Sequence, residues 1–252
     1  MSKKKWIIKY DPLAGTGATG PQGPQGPPGS VDLPLSSDDV DYNGQTLTEV
    51  LDELLYTPLT INSFSANPST YEKGQVLTSV ALLWTYNKAV ESQTITGTDV
   101  VSPSLLVGDR NKVVTLSNVA VNTVITLTAD DVVADDNAAI TRTVTLQFLN
   151  KLYWGKGVIP GAVNSAFILA LSNSELKSSR TKSFSIDAST GEYIWFALPE
   201  AYGLPSFLTN GFNGGFQLHS TISLTNASGH TENYRVYRTT NHSLGLTFVD
   251  VE

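Results

Sequence analysis

From residue 57 onward the chain alternates apolar and polar positions with a period of two, in short runs broken by turn residues. Successive side chains of a strand point to opposite faces, and β-branched and aromatic residues suit a pleated, half-buried surface. Thr60–Ser65, Val76–Tyr86, Lys112–Ser117, Thr123–Thr128 and Ile140–Phe148 are therefore expected as strands, with turns at Asn67-Pro68-Ser69 and Glu72-Lys73-Gly74. Their short, regular spacing predicts a β-sandwich over 57–150. A Trp on an inner strand suits an immunoglobulin-like or fibronectin-like module. With no cysteine to bridge the sheets, its core must come from Val80, Leu82, Trp84, Leu127 and Leu146. A second β domain is expected over 151–252, from strands at Lys182–Asp187, Glu192–Leu198, Gly215–Thr225, Asn233–Thr239 and Leu244–Val251. Alternation along Glu192–Phe196 puts at least one of its sides inward.

Upstream the period changes. Thr46-Leu47-Thr48-Glu49 fits a helix capping box, and Leu47, Val50, Leu51, Leu54 and Leu55 then fall on one helical face until Pro58 closes the segment. A helix this short is marginal alone, so its apolar face must pack against something. That partner is either copies of itself or the domain that follows.

A third period occupies Gly17, Gly20, Gly23, Gly26 and Gly29, with Pro21, Pro24 and Pro27 between them. Glycine at every third position is what a collagen-type triple helix requires, because only glycine fits its crowded axis. A plain spacer would have no need of that phase. The tract therefore predicts an elongated homotrimer, with Leu47, Val50, Leu51 and Leu54 as a helical clamp beside it. The expected organisation is a docking peptide (1–14), a collagen-like stalk (15–30), an acidic linker with a trimerisation helix (31–56) and two β-sandwich-like domains (57–150 and 151–252). At about 3.1 Å per residue the stalk spans only about 40 Å, so it supplies standoff and symmetry rather than the bulk of a fibre.

Charge refines the first segment. Residues 1–14 carry a net +3 in a 252-residue chain of net charge −7, leaving −10 for the rest. A basic tip on an acidic body argues against nucleic-acid binding by the body. Lys3, Lys4 and Lys5 precede Trp6, Ile7 and Ile8, a composition that favours a docking peptide over a solvated tail. The opening lacks the apolar run and small-residue cleavage site of a signal peptide, and no stretch approaches a membrane span. Neither secretion nor membrane insertion is expected.

Candidate chemistry is sparse. His219, His230 and His242 show no metal-ligand spacing, and no nucleophile elbow occurs. Asp187, Glu192 and Glu200 lie near aromatics and could supply paired carboxylates for glycoside cleavage. No enzyme activity, cofactor or metal is expected. Asp130, Asp131, Asp135 and Asp136 could bind calcium but read more simply as a solvated hairpin tip. Recognition chemistry is denser: aromatics with Asn, Ser and Gly around 202–215 combine rigid contact area with adaptable hydrogen bonding. Tyr202, Phe207, Asn210, Phe212 and Asn213 are the expected ligand contacts.

The order of these features resembles the fibre-type structural proteins of tailed bacteriophages. The resemblance rests on the basic-aromatic N-terminal peptide, the Gly17–Gly29 tract, the segment from Asp41-Tyr42-Asn43-Gly44 to Leu55-Tyr56, and the module containing Trp84-Thr85-Tyr86-Asn87-Lys88. In the C-terminal part it adds Gly191–Gly203 and Tyr234-Arg235-Val236-Tyr237-Arg238-Thr239-Thr240-Asn241. It implies a trimeric head or tail fibre on the virion surface, assembled in the host cytoplasm. Such a fibre would join capsid or tail proteins through its N-terminus and present its C-terminal domains outward. Two roles follow: attachment to a host-surface glycan or protein, or a purely structural place as head decoration or tail collar.

Overall fold

The computed structural model describes Leu51, residues 55–131 and residues 139–252. The docking peptide, the collagen-like tract, most of the expected helix and residues 132–138 lie outside that set. Leu51 and Leu55 are in helical conformation. No described helix is long and apolar enough to cross a membrane.

Residues 59–252 form one compact unit that is mainly β. Its first half contains β1 (Ile61–Asn67), β2 (Thr70–Glu72), β3 (Leu77–Tyr86), β4 (Ser92–Gly97), β5 (Asn111–Val119) and β6 (Thr123–Asp130). Strand β7 (Ile140–Gly157) then runs for 18 residues. One sheet has the order β1-β3-β5; opposite it lie β4, β6 and the first half of β7, with β2 pairing in parallel along Thr70–Glu72. Between them Phe64, Val80, Leu82, Trp84, Val114, Ile125, Leu127 and Leu146 make one core. All five expected core residues are in it.

The second half begins on the same strand. A short helix (Ser165–Leu169) is capped at its N-terminus by the Asn164 side chain. After it come β8 (Asn173–Lys177), β9 (Lys182–Ala188), β10 (Tyr193–Pro199), β11 (Phe207–Thr209), β12 (Phe212–Asn213), β13 (Phe216–Thr225), β14 (Thr231–Thr239) and β15 (Gly245–Val251). The end of β7 pairs with β8 and β10, and the sheet continues through β14 to β13. A separate four-stranded sheet, β12-β11-β15-β9, packs on one face of it through Trp154, Phe196, Leu198, Phe207, Tyr237 and Val249. The other face is covered by the short helix, where Ile168 and Leu171 meet Tyr153, Trp195 and Val236. Strand β10 is thus buried on both faces from Ile194 to Pro199, although one inward side was all its sequence required.

The boundary expected at 150/151 falls inside β7. Its even-numbered residues carry the interior from one core to the other: Leu146 and Phe148 belong to the first, Leu152 and Trp154 to the second. Asn150 lies buried between them. Pairing along β7 is free of register shifts, so a single pleat sets the facing of both halves.

Candidate functional site

Two regions concentrate polar chemistry. The first is the seam where the halves meet on β7. Glu72, buried at the end of β2, accepts from Lys151 Nζ at 2.9 Å and Tyr153 Oη at 3.4 Å. Glu232 on β14 accepts from Lys73 Nζ and Asn150 Nδ2, each at 3.3 Å, with His230 Nε2 3.6 Å away. Burial resists ionisation of Glu232, but the Asn150 hydrogen bond, the Lys73 charge and His230 outweigh it and hold the carboxyl below its usual range. Burial, with the nearby Glu72 charge, pushes the Tyr153 phenol up. Gly74 has φ of +90° and its Cβ position would lie 2.7 Å from His230 Cβ, so only glycine lets this turn seat against the β13–β14 hairpin. Beside the seam an open cleft of about 520 Å³ is lined by Lys73, Val121, Asn122, Phe148 and His230.

The second region is the hairpin joining β11 to β12 and the sheet it extends. Asn210 and Gly211 have φ of 50° and 81°, the left-handed pair that a two-residue hairpin turn needs. Asn210 is docked on β15, its N–H donating to Phe248 O at 2.8 Å and its Oδ1 accepting from Phe248 N at 2.9 Å. Phe212 is 79% exposed and Asn213 is also on the surface. The remaining expected contacts are committed to packing. Phe207 is buried, stacked on Phe216 at 4.3 Å and edge-on to Phe196 at 5.8 Å. Tyr202 is half-buried, and its Oη donates to Lys177 O at 2.6 Å.

What the sequence did not pick out is the outer face of the four-stranded sheet. Leu246, Phe248 and Asp250 point outward from β15, with Leu246 62% and Phe248 59% exposed. Opposite them on β9 stand Asp187 and Ser185, and Leu208 and Asn213 extend the face on the other side. Alternation along Leu244–Val251 hides this face, since Thr247 occupies an inward position and Phe248 an outward one.

The residues considered for other chemistry are spread apart by their partners. Glu192 is held by Ser189 N and Lys156, which keep its carboxyl below the usual range. Glu200 pairs with Arg235 at 2.7 Å, while Asp187 stands on the outer face of β9. His219 packs edge-on to Trp195 at 5.2 Å, and His242 bonds Ser243 Oγ at 2.7 Å. Among the described residues no group of three or more His, Asp or Glu could hold a metal. Asp135 and Asp136 of the acidic loop lie outside them. So do Lys3, Lys4, Lys5, Trp6, Ile7 and Ile8, the five glycines of the tract, and Leu47, Val50 and Leu54. Leu51 is 44% exposed.

No protein-family model matches the chain, and no curated protein matches it. Among solved structures it is similar to an α-L-rhamnosidase of Streptomyces avermitilis complexed with L-rhamnose, at 9% identity and a TM-score of 0.26. That alignment covers 77% of this chain and 23% of the enzyme.

Proposed function

We propose that the chain is the subunit of a trimeric fibre protein of a tailed-bacteriophage virion. It is held to the particle through Lys3–Ile8 and presents its C-terminal half for attachment to the host surface. The observation that carries this reading is the unbroken three-residue phase of glycine from Gly17 to Gly29, which has a physical purpose only in a three-chain helix. The β architecture beyond it suits a displayed, non-enzymatic module. In the first half, the order β1-β3-β5 against β4-β6-β7 supports reading that half as an immunoglobulin-like sandwich. Three copies on one stalk would raise weak single-site affinity through linked binding, by roughly 10²–10⁴.

Two measurements test this. Light scattering of the purified protein should give three times the 27.1 kDa chain mass; a clean monomer at micromolar concentration overturns the reading. Virions lacking the protein should show a missing appendage by electron microscopy and adsorb poorly to host cells. An absent appendage with normal adsorption would leave a structural decoration instead.

A further inference from the structure

We propose that the outer face of the β12-β11-β15-β9 sheet is a glycan-binding platform, with the Phe248 ring as its stacking surface and Asp187 and Asp250 as hydrogen-bond acceptors. The proposal rests on the host-attachment reading and names the site and ligand class for it. The register fixes the layout: Asp187 lies opposite Leu246, Ser185 opposite Phe248, and Asp250 stands two residues further along β15. Phe248 thus sits at the centre of an apolar strip with a polar rim. The Asn210 side chain is tied to the Phe248 backbone, so the strand beneath the ring is pinned from the hairpin side.

Three features select a saccharide. First, size: two steps along a strand and three across the sheet give a face of about 14 by 14 Å, or roughly 200 Å². A stable protein partner would need about 800 Å² per side. A short oligosaccharide needs no more than this. Second, chemistry: a pyranose offers an apolar C–H face that lies against an aromatic ring and a periphery of hydroxyl donors. The side chains of Asp187 and Asp250 are exposed acceptors with no hydrogen-bond or ion-pair partner among the described residues. Third, charge: no lysine or arginine is among the outward residues of β9, β11, β12 and β15. Sugars bearing carboxylate or sulfate would meet two carboxylates without a counter-cation. The face therefore takes neutral or amino-substituted sugars.

The test is to apply the full-length protein to a printed array of neutral, amino-substituted and uronic or sialylated oligosaccharides. The strongest ligand is then titrated by calorimetry. Binding to neutral or amino sugars is expected, weakened at least tenfold by Phe248→Ala and retained by Phe248→Trp. Asp187→Asn with Asp250→Asn should weaken it without changing thermal melting. Val113→Ala, on an outer face of the first half, should leave it unchanged. No binding to neutral or amino sugars, a preference for acidic ones, or full binding by folded Phe248→Ala each overturns the proposal. Should Phe248→Ala melt early, the Asp pair and the Trp replacement decide. Virion adsorption separates this site from the reading beneath it. Adsorption lost on deleting the protein but normal with Phe248→Ala rejects the site and spares the fibre; adsorption unaffected by the deletion rejects host attachment itself.

Discussion

The two halves of the 59–252 unit bury their sheets differently. In the first, each sheet has one inward face, and the outward face of β4, β6 and β7 is largely threonine: Thr94, Thr96, Thr126, Thr128, Thr141 and Thr143 lie in paired rows. In the second, the central sheet is covered on both sides, by the four-stranded sheet and by the helix segment. A sheet with one wet face shows clean alternation, whereas one covered twice reads as a continuous apolar run. Strand β7 does both in turn, alternating through Leu146–Lys151 and then burying Leu152, Tyr153, Trp154 and Gly155 in succession. Burial is thus a property of what each stretch of a strand is given to pack against.

The sharpest way to break this contrast is at the twice-covered sheet. Trp195→Ala should cost about 3–5 kcal/mol in denaturant unfolding, as truncation of a fully buried aromatic does. Because Trp195 meets Phe167 edge-on at 4.9 Å, the variant should also lose amide-exchange protection around 165–171. Trp84→Ala should not; equal protection of that segment in both variants would erase the distinction. A smaller effect is expected at the polar knot of the first half. There Gln93 Oε1 accepts from Trp84 Nε1 and Tyr86 Oη, each at 2.9 Å, and its amide reaches Leu106 O and Asp109 O. Burial pushes the Tyr86 phenol up to about 12. Gln93→Leu leaves the indole N–H without a partner and should cost about 1–3 kcal/mol. A neutral result would show that the loop at 106–109 closes without it.

The seam offers a third, pH-dependent test. The Glu232 carboxyl is depressed in the folded state, so the stability it contributes is complete above its unfolded value, near ~4.3, and is lost as pH falls through the lower folded value. Glu232→Gln should therefore flatten the loss of melting temperature on acidification from about pH 5 to 3. An unchanged slope would mean that the seam is not coupled to titration there. The smallest effect belongs to Phe212, which is 79% exposed: Phe212→Ala should stay within about 0.5 kcal/mol of the parent chain.

Much of the fold was legible because alternation and burial agree. Val80, Leu82, Trp84, Leu127 and Leu146 occupy inward positions of a one-sided sheet, and period two finds such residues. Strand β4 was missed because one of its two inward positions is Gln93, a polar residue that breaks the apolar pattern while serving as a buried hydrogen-bond hub. The crossing of β7 past residue 150 was missed for the opposite reason, since unbroken burial has no period to read. At the candidate site, composition could not separate the packed Phe207 from the exposed Phe212. Phe248 carries no local signal at all; only the pairing of β15 between β9 and β11 turns it outward.

Strand β7 also bears on how such a chain can be varied. A boundary in a loop lets either neighbour be exchanged as a cassette, but here the join is a phase relation within one pleat. Inserting or deleting one residue between Phe148 and Leu152 would swap the downstream residues between the two covered faces, sending Leu152 and Trp154 to the helix side and Tyr153 to the side of the four-stranded sheet. Recombination that exchanges the second half must therefore keep the parity of β7, and a graft cut in the 158–164 connection, beyond that strand, avoids the constraint altogether.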